Sequence, residues 1–111
     1  MKRKYGNRKV TLGGHTFDSK REAGRYGELK LLERAGQITG LELQPRFELI
    51  PKQRRGDGKA ERACEYVADF RYTDARTGQQ VIEDAKGMRT RDYIIKRKLM
   101  LQVHGISVRE V

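Results

Sequence analysis

Residues 63–86 read ACEYVADFRYTDARTGQQVIEDAK. Through position 73 the side chains alternate with the period of a strand. Cys64, Tyr66, Ala68, Phe70 and Tyr72 share one face, and Glu65, Val67, Asp69 and Arg71 share the other. Residues 74–78 supply turn chemistry, and a second strand-like run follows over 79–86. In it Ile82, Asp84 and Lys86 leave one face, opposite Val81, Glu83 and Ala85. The segment reads as a β-hairpin. Aspartate is disfavoured in strand interiors, yet Asp69 and Asp84 both lie in such runs.

Working outward, Ser19 offers an N-cap with Glu22 three residues on, the pattern of a capping box. A helix is predicted from there to about Ala35, where Gly36 supplies a stop. On the helical wheel Ala23, Tyr26, Leu29 and Leu32 form one stripe, and Glu22 lies near its middle while Glu28 points away. Ahead of the helix, residues 10–17 read as a short hairpin around Gly13-Gly14. Residues 38–50 read as extended chain interrupted at Gln44-Pro45, since proline is confined to edges and bends. Residues 51–62, PKQRRGDGKAER, are a loop by composition. Downstream, Thr90 caps a second helix running to about His104, Gly105 ends it, and 106–111 form a last short strand. Helix, strands, helix, strand predicts a mixed α+β fold, a mixed β-sheet flanked by helices. One domain spans 10–111, behind a basic flexible tail at 1–9.

The chain has 111 residues, a formal net charge of +10 and a pI near 10.0. That size allows one modest core, and that charge suits a polyanionic partner. No apolar run approaches the roughly 20 residues a membrane span needs. Met1 is followed by basic residues with no apolar run behind them, so no signal peptide is expected. Cys64 stands alone, and with His15 and His104 it makes no zinc-ligand spacing. The expected compartment is a reducing cytoplasm.

The acids carry the chemistry. Phosphodiester hydrolysis at neutral pH is helped by a divalent ion that polarises the phosphate and lowers the pKa of a bound water. Mg²⁺ takes oxygen ligands and usually binds through one or two carboxylates. Asp69 and Asp84, on adjacent strands, are suited to supply them, and Lys86, on the face of Asp84, would sit beside the ion. In isolation, Asp-x-Lys in a strand is more often a solvated pair. Glu22 either closes the capping box or turns a carboxylate towards the sheet, where a nearby cation would offset the cost of burial. Lys96 falls within an apolar arc of Ile95, Leu99, Met100 and Val103. Its stem either snorkels past the core or carries a second cation to the phosphate. Gln44 is an active-site amide or a satisfied bend residue. Tyr26, Met100 and Cys64 read as apolar packing.

Basic residues fall in three clusters: Lys2, Arg3, Lys4, Arg8 and Lys9; Lys52, Arg54, Arg55, Lys59 and Arg62; Arg89, Arg91, Lys96, Arg97 and Lys98. A charge run is often only a solvated face. Three clusters around an acidic site fit phosphate contacts better. Lys52, Arg54, Arg55, Lys59, Arg89, Arg91, Arg97 and Lys98 are the expected DNA contacts. No aromatic-stacking or helix-turn-helix pattern suggests base reading.

The helix glutamate, the Asp69 strand and the Asp84-x-Lys86 strand together resemble the PD-(D/E)XK nuclease superfamily. The chain is similar, more narrowly, to a small phage and prophage family catalogued as a domain of unknown function. The motifs that carry this are Phe-Asp-Ser-Lys-Arg-Glu at 17–22, Leu-Lys-Leu-Leu-Glu-Arg-Ala-Gly at 29–36, Gln-Pro-Arg-Phe at 44–47, Tyr-Val-Ala-Asp-Phe at 66–70 and Glu-Asp-Ala-Lys-Gly at 83–87. The resemblance implies a restriction-endonuclease-like core in αβββαβ order. It implies Asp69 and Asp84 as ligands of Mg²⁺ or Mn²⁺, Lys86 as the catalytic lysine, and Glu22 as the helix acid, a further ligand directly or through water. Ala68 replaces the proline that names the motif. The function so implied is a metal-dependent deoxyribonuclease, structure-selective and junction-resolvase-like, acting on branched or duplex DNA in a bacterial host. A homodimer is compatible with it. Two other classes stay open: a nucleic-acid-binding module without catalysis, in which the acids and Lys86 form structural ion pairs, and a phage regulatory protein on the same fold.

Overall fold

The computed structural model describes residues 9–111. Of the expected basic tail, only Lys9 falls within them. The elements are β1 (Val10–Leu12), β2 (His15–Phe17), α1 (Lys20–Arg34), β3 (Ile38–Leu43), β4 (Arg46–Ile50), β5 (Gln53–Arg54), β6 (Ala60–Glu61), β7 (Cys64–Val67), β8 (Phe70–Asp74), β9 (Gln80–Asp84), α2 (Arg91–His104) and β10 (Arg109–Glu110). The fold is mixed α+β.

Local chemistry sets both helices. Ser19 Oγ accepts the Glu22 N–H at 3.2 Å and opens α1, while Thr90 Oγ1 accepts the Tyr93 N–H at 3.1 Å and opens α2. Gly105, at φ +68°, closes α2 and donates its N–H to Leu101 O. Gly13 and Gly14 carry φ of +60° and +82°, which the two-residue β1–β2 turn requires.

The principal sheet has the strand order β10-β9-β8-β3. β10 runs parallel to β9, and the other neighbours are antiparallel. The elements building this sheet and its helices follow one another as α1, β3, β8, β9, α2, β10. The segment from β4 to β7 is inserted between β3 and β8. Apolar side chains pack in two cores. One, under α1, holds Phe17, Ala23, Tyr26, Leu29, Phe70 and Tyr72; the other, under α2, holds Phe47, Tyr66, Ala68, Ile82, Tyr93 and Met100.

Four sequence readings need correction. The run over 63–73 is not one alternating strand, because it breaks at Ala68-Asp69. Tyr66 and Ala68 enter the α2 core, whereas Phe70 and Tyr72 enter the α1 core. The break faces the expected interruption at Gln44-Pro45. Gln44 sits at φ +52°, its N–H donates to Asp69 O at 3.0 Å, and the Ala68 N–H donates to Pro45 O at 3.1 Å. Both strands therefore bend together there and stay paired with each other on either side of the bend. Second, residues 51–62 are not irregular, since β5 and β6 pair within them. Third, the strand expected over 79–86 is shorter: β9 ends at Asp84, two residues before Lys86, and it is buried on both faces, Ile82, Glu83 and Asp84 being 2%, 0% and 1% exposed. Fourth, the apolar arc of α2 is displaced: Tyr93 and Met100 are its buried residues, while Ile95 and Val103 are 57% and 50% exposed.

Candidate active site

The bend at Ala68-Asp69 is what brings the acids together. Asp69 lies beside the end of β9, and its N–H donates both to Glu83 O at 3.1 Å and to Asp84 Oδ1 at 2.9 Å. In return Asp69 Oδ2 accepts the Ala85 N–H at 2.8 Å. Each carboxylate is thus pinned by the other's strand through one oxygen, and its second oxygen is left over. Asp84 Oδ2 is buried and has no hydrogen-bond partner. Its nearest cation is Lys86 Nζ at 3.9 Å. The Lys86 ammonium stands 4.5 Å from the centre of the Tyr93 ring, which holds it at the strand end.

Glu22 approaches from α1. It is buried in the helix's apolar stripe, as its place on the wheel predicts, and it lines one cavity with Asp69. Burial first, and then the Asp69 carboxyl, push its pKa up to about 8. Burial also pushes Asp84 up to about 6, against the pull of Lys86 and of the Asp69 N–H. The described hydrogen bonds of Ser19 hold no reciprocal arm of a capping box; the Asp18 N–H acts on the Glu22 carboxyl instead, against the rise. The cavity, of about 120 Å³, is lined by His15, Thr16, Phe17, Glu22, Leu43, Gln44 and Asp69. Asp84 and Lys86 lie outside that lining. Gln44 is there because the bend places it there.

No three His, Cys, Asp or Glu side chains gather as a metal-binding group among the described residues. The oxygens on offer are those of Asp69 and Asp84, with Glu22 behind Asp69. That set fits Mg²⁺, whose sites commonly use one or two carboxylates, and the unpartnered buried Asp84 Oδ2 is the atom a cation would satisfy.

The remaining expected residues are dispersed. Lys96 is half-buried on α2 and makes no ion pair among the described residues. Arg89 and Arg97 both turn to Glu110, at 2.6 and 3.4 Å, beside the Tyr93 hydroxyl, which donates to the same carboxylate at 2.7 Å. Arg91 and Lys98 are exposed on α2. Lys52, Arg54, Arg55 and Lys59 lie beyond the Ile50↔Cys64 pair, at the opposite end of the β4–β7 ladder from Asp69.

Two arrangements escaped the sequence reading. Glu83, fully buried on the α1 face, receives Arg25 through two bonds of 2.8 and 2.7 Å and also accepts from the Tyr72 hydroxyl. The signal was present: adjacent acids in one strand leave by opposite faces, so each needs a partner of its own. Arg21 is the other. Its Nε would lie 3.7 Å from a Cβ on Gly87, which brings a helix cation beside the turn after Lys86.

A family model described as "Protein of unknown function (DUF1064)" matches residues 2–109. The chain belongs to that family. No curated protein and no solved structure gives a significant match to it.

Proposed function

We propose that this chain is a Mg²⁺- or Mn²⁺-dependent deoxyribonuclease with a restriction-endonuclease-like core of the PD-(D/E)XK type. The observation that carries the reading is the reciprocal lock of Asp69 and Asp84. It leaves an unpartnered carboxylate oxygen under a lysine ammonium. A purely structural ion pair would satisfy that oxygen at hydrogen-bond distance, and Lys86 Nζ stays 3.9 Å away. The succession α1, β3, β8, β9, α2, β10 supports the same reading, because it repeats the order that the sequence resemblance implies.

Each residue has a role in this proposal. Asp69 and Asp84 hold the ion, positioned by the Ala85 and Asp69 N–H groups. When bound there, the ion would supply polarisation of the phosphate and a lowered pKa for water. Lys86, kept over the Tyr93 ring, places its positive charge where negative charge grows on the phosphodiester. Glu22 holds a proton against the Asp69 carboxylate in the metal-free chain. Gln44, at the cavity rim, presents an amide to the substrate side. The exposed cations Arg91 and Lys98, with Arg21 near Gly87, supply phosphate contacts. Recognition through the backbone suits a branched DNA substrate, a four-way junction first among them.

Purified protein should cut duplex or four-way-junction DNA in Mg²⁺ or Mn²⁺ and bind without cutting in EDTA. Asp84→Asn and Lys86→Ala should each lower the cleavage rate by about 10²–10³, the usual cost of losing one electrostatic stabiliser. Binding in EDTA should survive both. A wild type that leaves duplex, single-stranded and junction DNA uncut with either ion overturns the proposal. The chain would then stand as a nucleic-acid-binding module.

A further inference from the structure

The second basic cluster is an ordered ribbon. β5 and β6 pair as Gln53↔Glu61 and Arg54↔Ala60. The tip is closed by the Arg55 N–H on Lys59 O at 2.8 Å, the Gly58 N–H on Arg55 O at 2.9 Å, and the Lys59 N–H on Asp57 Oδ1 at 3.0 Å. Gly58 takes φ +84°, a conformation that side chains disfavour. Every residue from 51 to 62 is exposed, and none belongs to either core. A two-stranded ribbon with no apolar face gains little from folding. Its ordered tip and its charge therefore point to a partner.

The two faces of the ribbon differ. Gln53 and Glu61 share one, joined at 3.0 Å, and strand alternation adds Arg55 and Lys59 to it. Arg55 on that face is already paired with Asp57 at 2.8 Å. The opposite face carries Lys52, Arg54 and Arg62 around the small Ala60, with no acid. None of the three makes an ion pair among the described residues. Arg54 uses one N–H on Gly58 O at 3.0 Å and keeps the rest of its five donors.

We propose that the β5–β6 ribbon is a duplex-DNA-binding arm whose Lys52, Arg54 and Arg62 face grips backbone phosphates away from the acids. The inference deepens the nuclease reading by giving its substrate a second point of attachment. Asp69 lies nine positions beyond Ala60, and an extended chain of that length would span at most about 30 Å. That is about nine base pairs along a duplex. The major groove, about 12 Å wide, admits a two-stranded ribbon.

The test is fluorescence anisotropy in EDTA with a 30-base-pair duplex, over a range of salt. Lys52→Ser/Arg54→Ser/Arg62→Ser should weaken binding at least tenfold and make the log–log salt slope shallower by about 2–3, each lost phosphate contact contributing about 0.9. Arg55→Ser/Lys59→Ser, on the other face, should change the slope by about 1 at most. The triple variant should melt with the wild type. If it melts lower, the three single substitutions decide the question, each removing about 0.9 from the slope. Wild-type affinity and slope in the triple variant overturn the arm, as does an equal loss in the opposite-face variant. So does a loss confined to anionic lipid vesicles. Arm-dependent binding by a wild type that cuts nothing keeps the arm and sinks the nuclease. Cleavage and binding indifferent to the arm do the reverse.

Discussion

Glu22 shows most sharply how one residue ties the fold to the site. The α1 stripe needs an apolar residue at its position, and the chain supplies a carboxyl facing Asp69. The raised pKa makes this a cost to stability above the acid range. The folded chain keeps the proton up to about pH 8, whereas the unfolded chain loses it near the ordinary value of 4.5. Stability is therefore highest below pH 4.5 for this group and falls as the pH rises towards 8. In EDTA, Glu22→Gln should remove that fall, raising the midpoint of thermal unfolding at pH 8 by several degrees while leaving it nearly unchanged at pH 4.5. Equal gains at both pH values would mean that Glu22 is not held protonated. Much of the site's pairing was legible at this scale. The spacing of Asp84 and Lys86 places them on one face, and the stripe places Glu22. Asp84's near-complete burial was not legible, because it depends on α2 and β10 closing over the strand end from far along the chain.

Among the elements, the helices were the easier part to read. Ser19, Gly36, Thr90 and Gly105 are local signals, and the boundaries they predict are those observed within a residue or so. The bend shared by the β3–β4 and β7–β8 segments was half legible. Pro45 announces one side of it, but Ala68-Asp69 carries no breaker, and its change of face is imposed across the ladder by Gln44 and Pro45. The 51–62 ribbon was invisible to pattern reading because it has no apolar alternation. The tie between α1 and β9 was missed as well, and it makes a prediction. Glu83 is fully buried with Arg25 as its cation, so Arg25→Met leaves a carboxylate uncompensated. Breaking a buried pair in this way commonly costs about 3–5 kcal/mol. Urea denaturation should show that loss, and Arg25→Met/Glu83→Met should recover much of it. A loss below about 1 kcal/mol, the range of exposed pairs, would show that water reaches the pair.

Across the whole molecule, a chain of net charge +10 carries a buried Asp84 locked to a half-buried Asp69 at the place proposed to meet phosphate. None of its described helices is long and apolar enough to cross a membrane. In the proposed nuclease the acids would oppose DNA binding until a cation joined them, while the chain's many basic groups would favour it. Asp84→Asn should therefore bind duplex DNA more tightly than wild type in EDTA at pH 7.5. One charge removed near a phosphate is worth about 1 kcal/mol at contact distance in water, about fivefold in affinity. The gap should close as the pH falls. Asp84, raised to about 6 by burial, loses its charge below that pH and leaves wild type and variant alike. Ca²⁺ should tighten wild-type binding at pH 7.5 and leave the Asn variant nearly unmoved, because the variant lacks one of the two carboxylates that would hold the ion. Anisotropy titrations at pH 5 and 7.5, with and without Ca²⁺, measure all four corners. A variant no tighter than wild type at pH 7.5, or a gap of the same size at pH 5, would mean that the Asp84 charge does not face bound DNA.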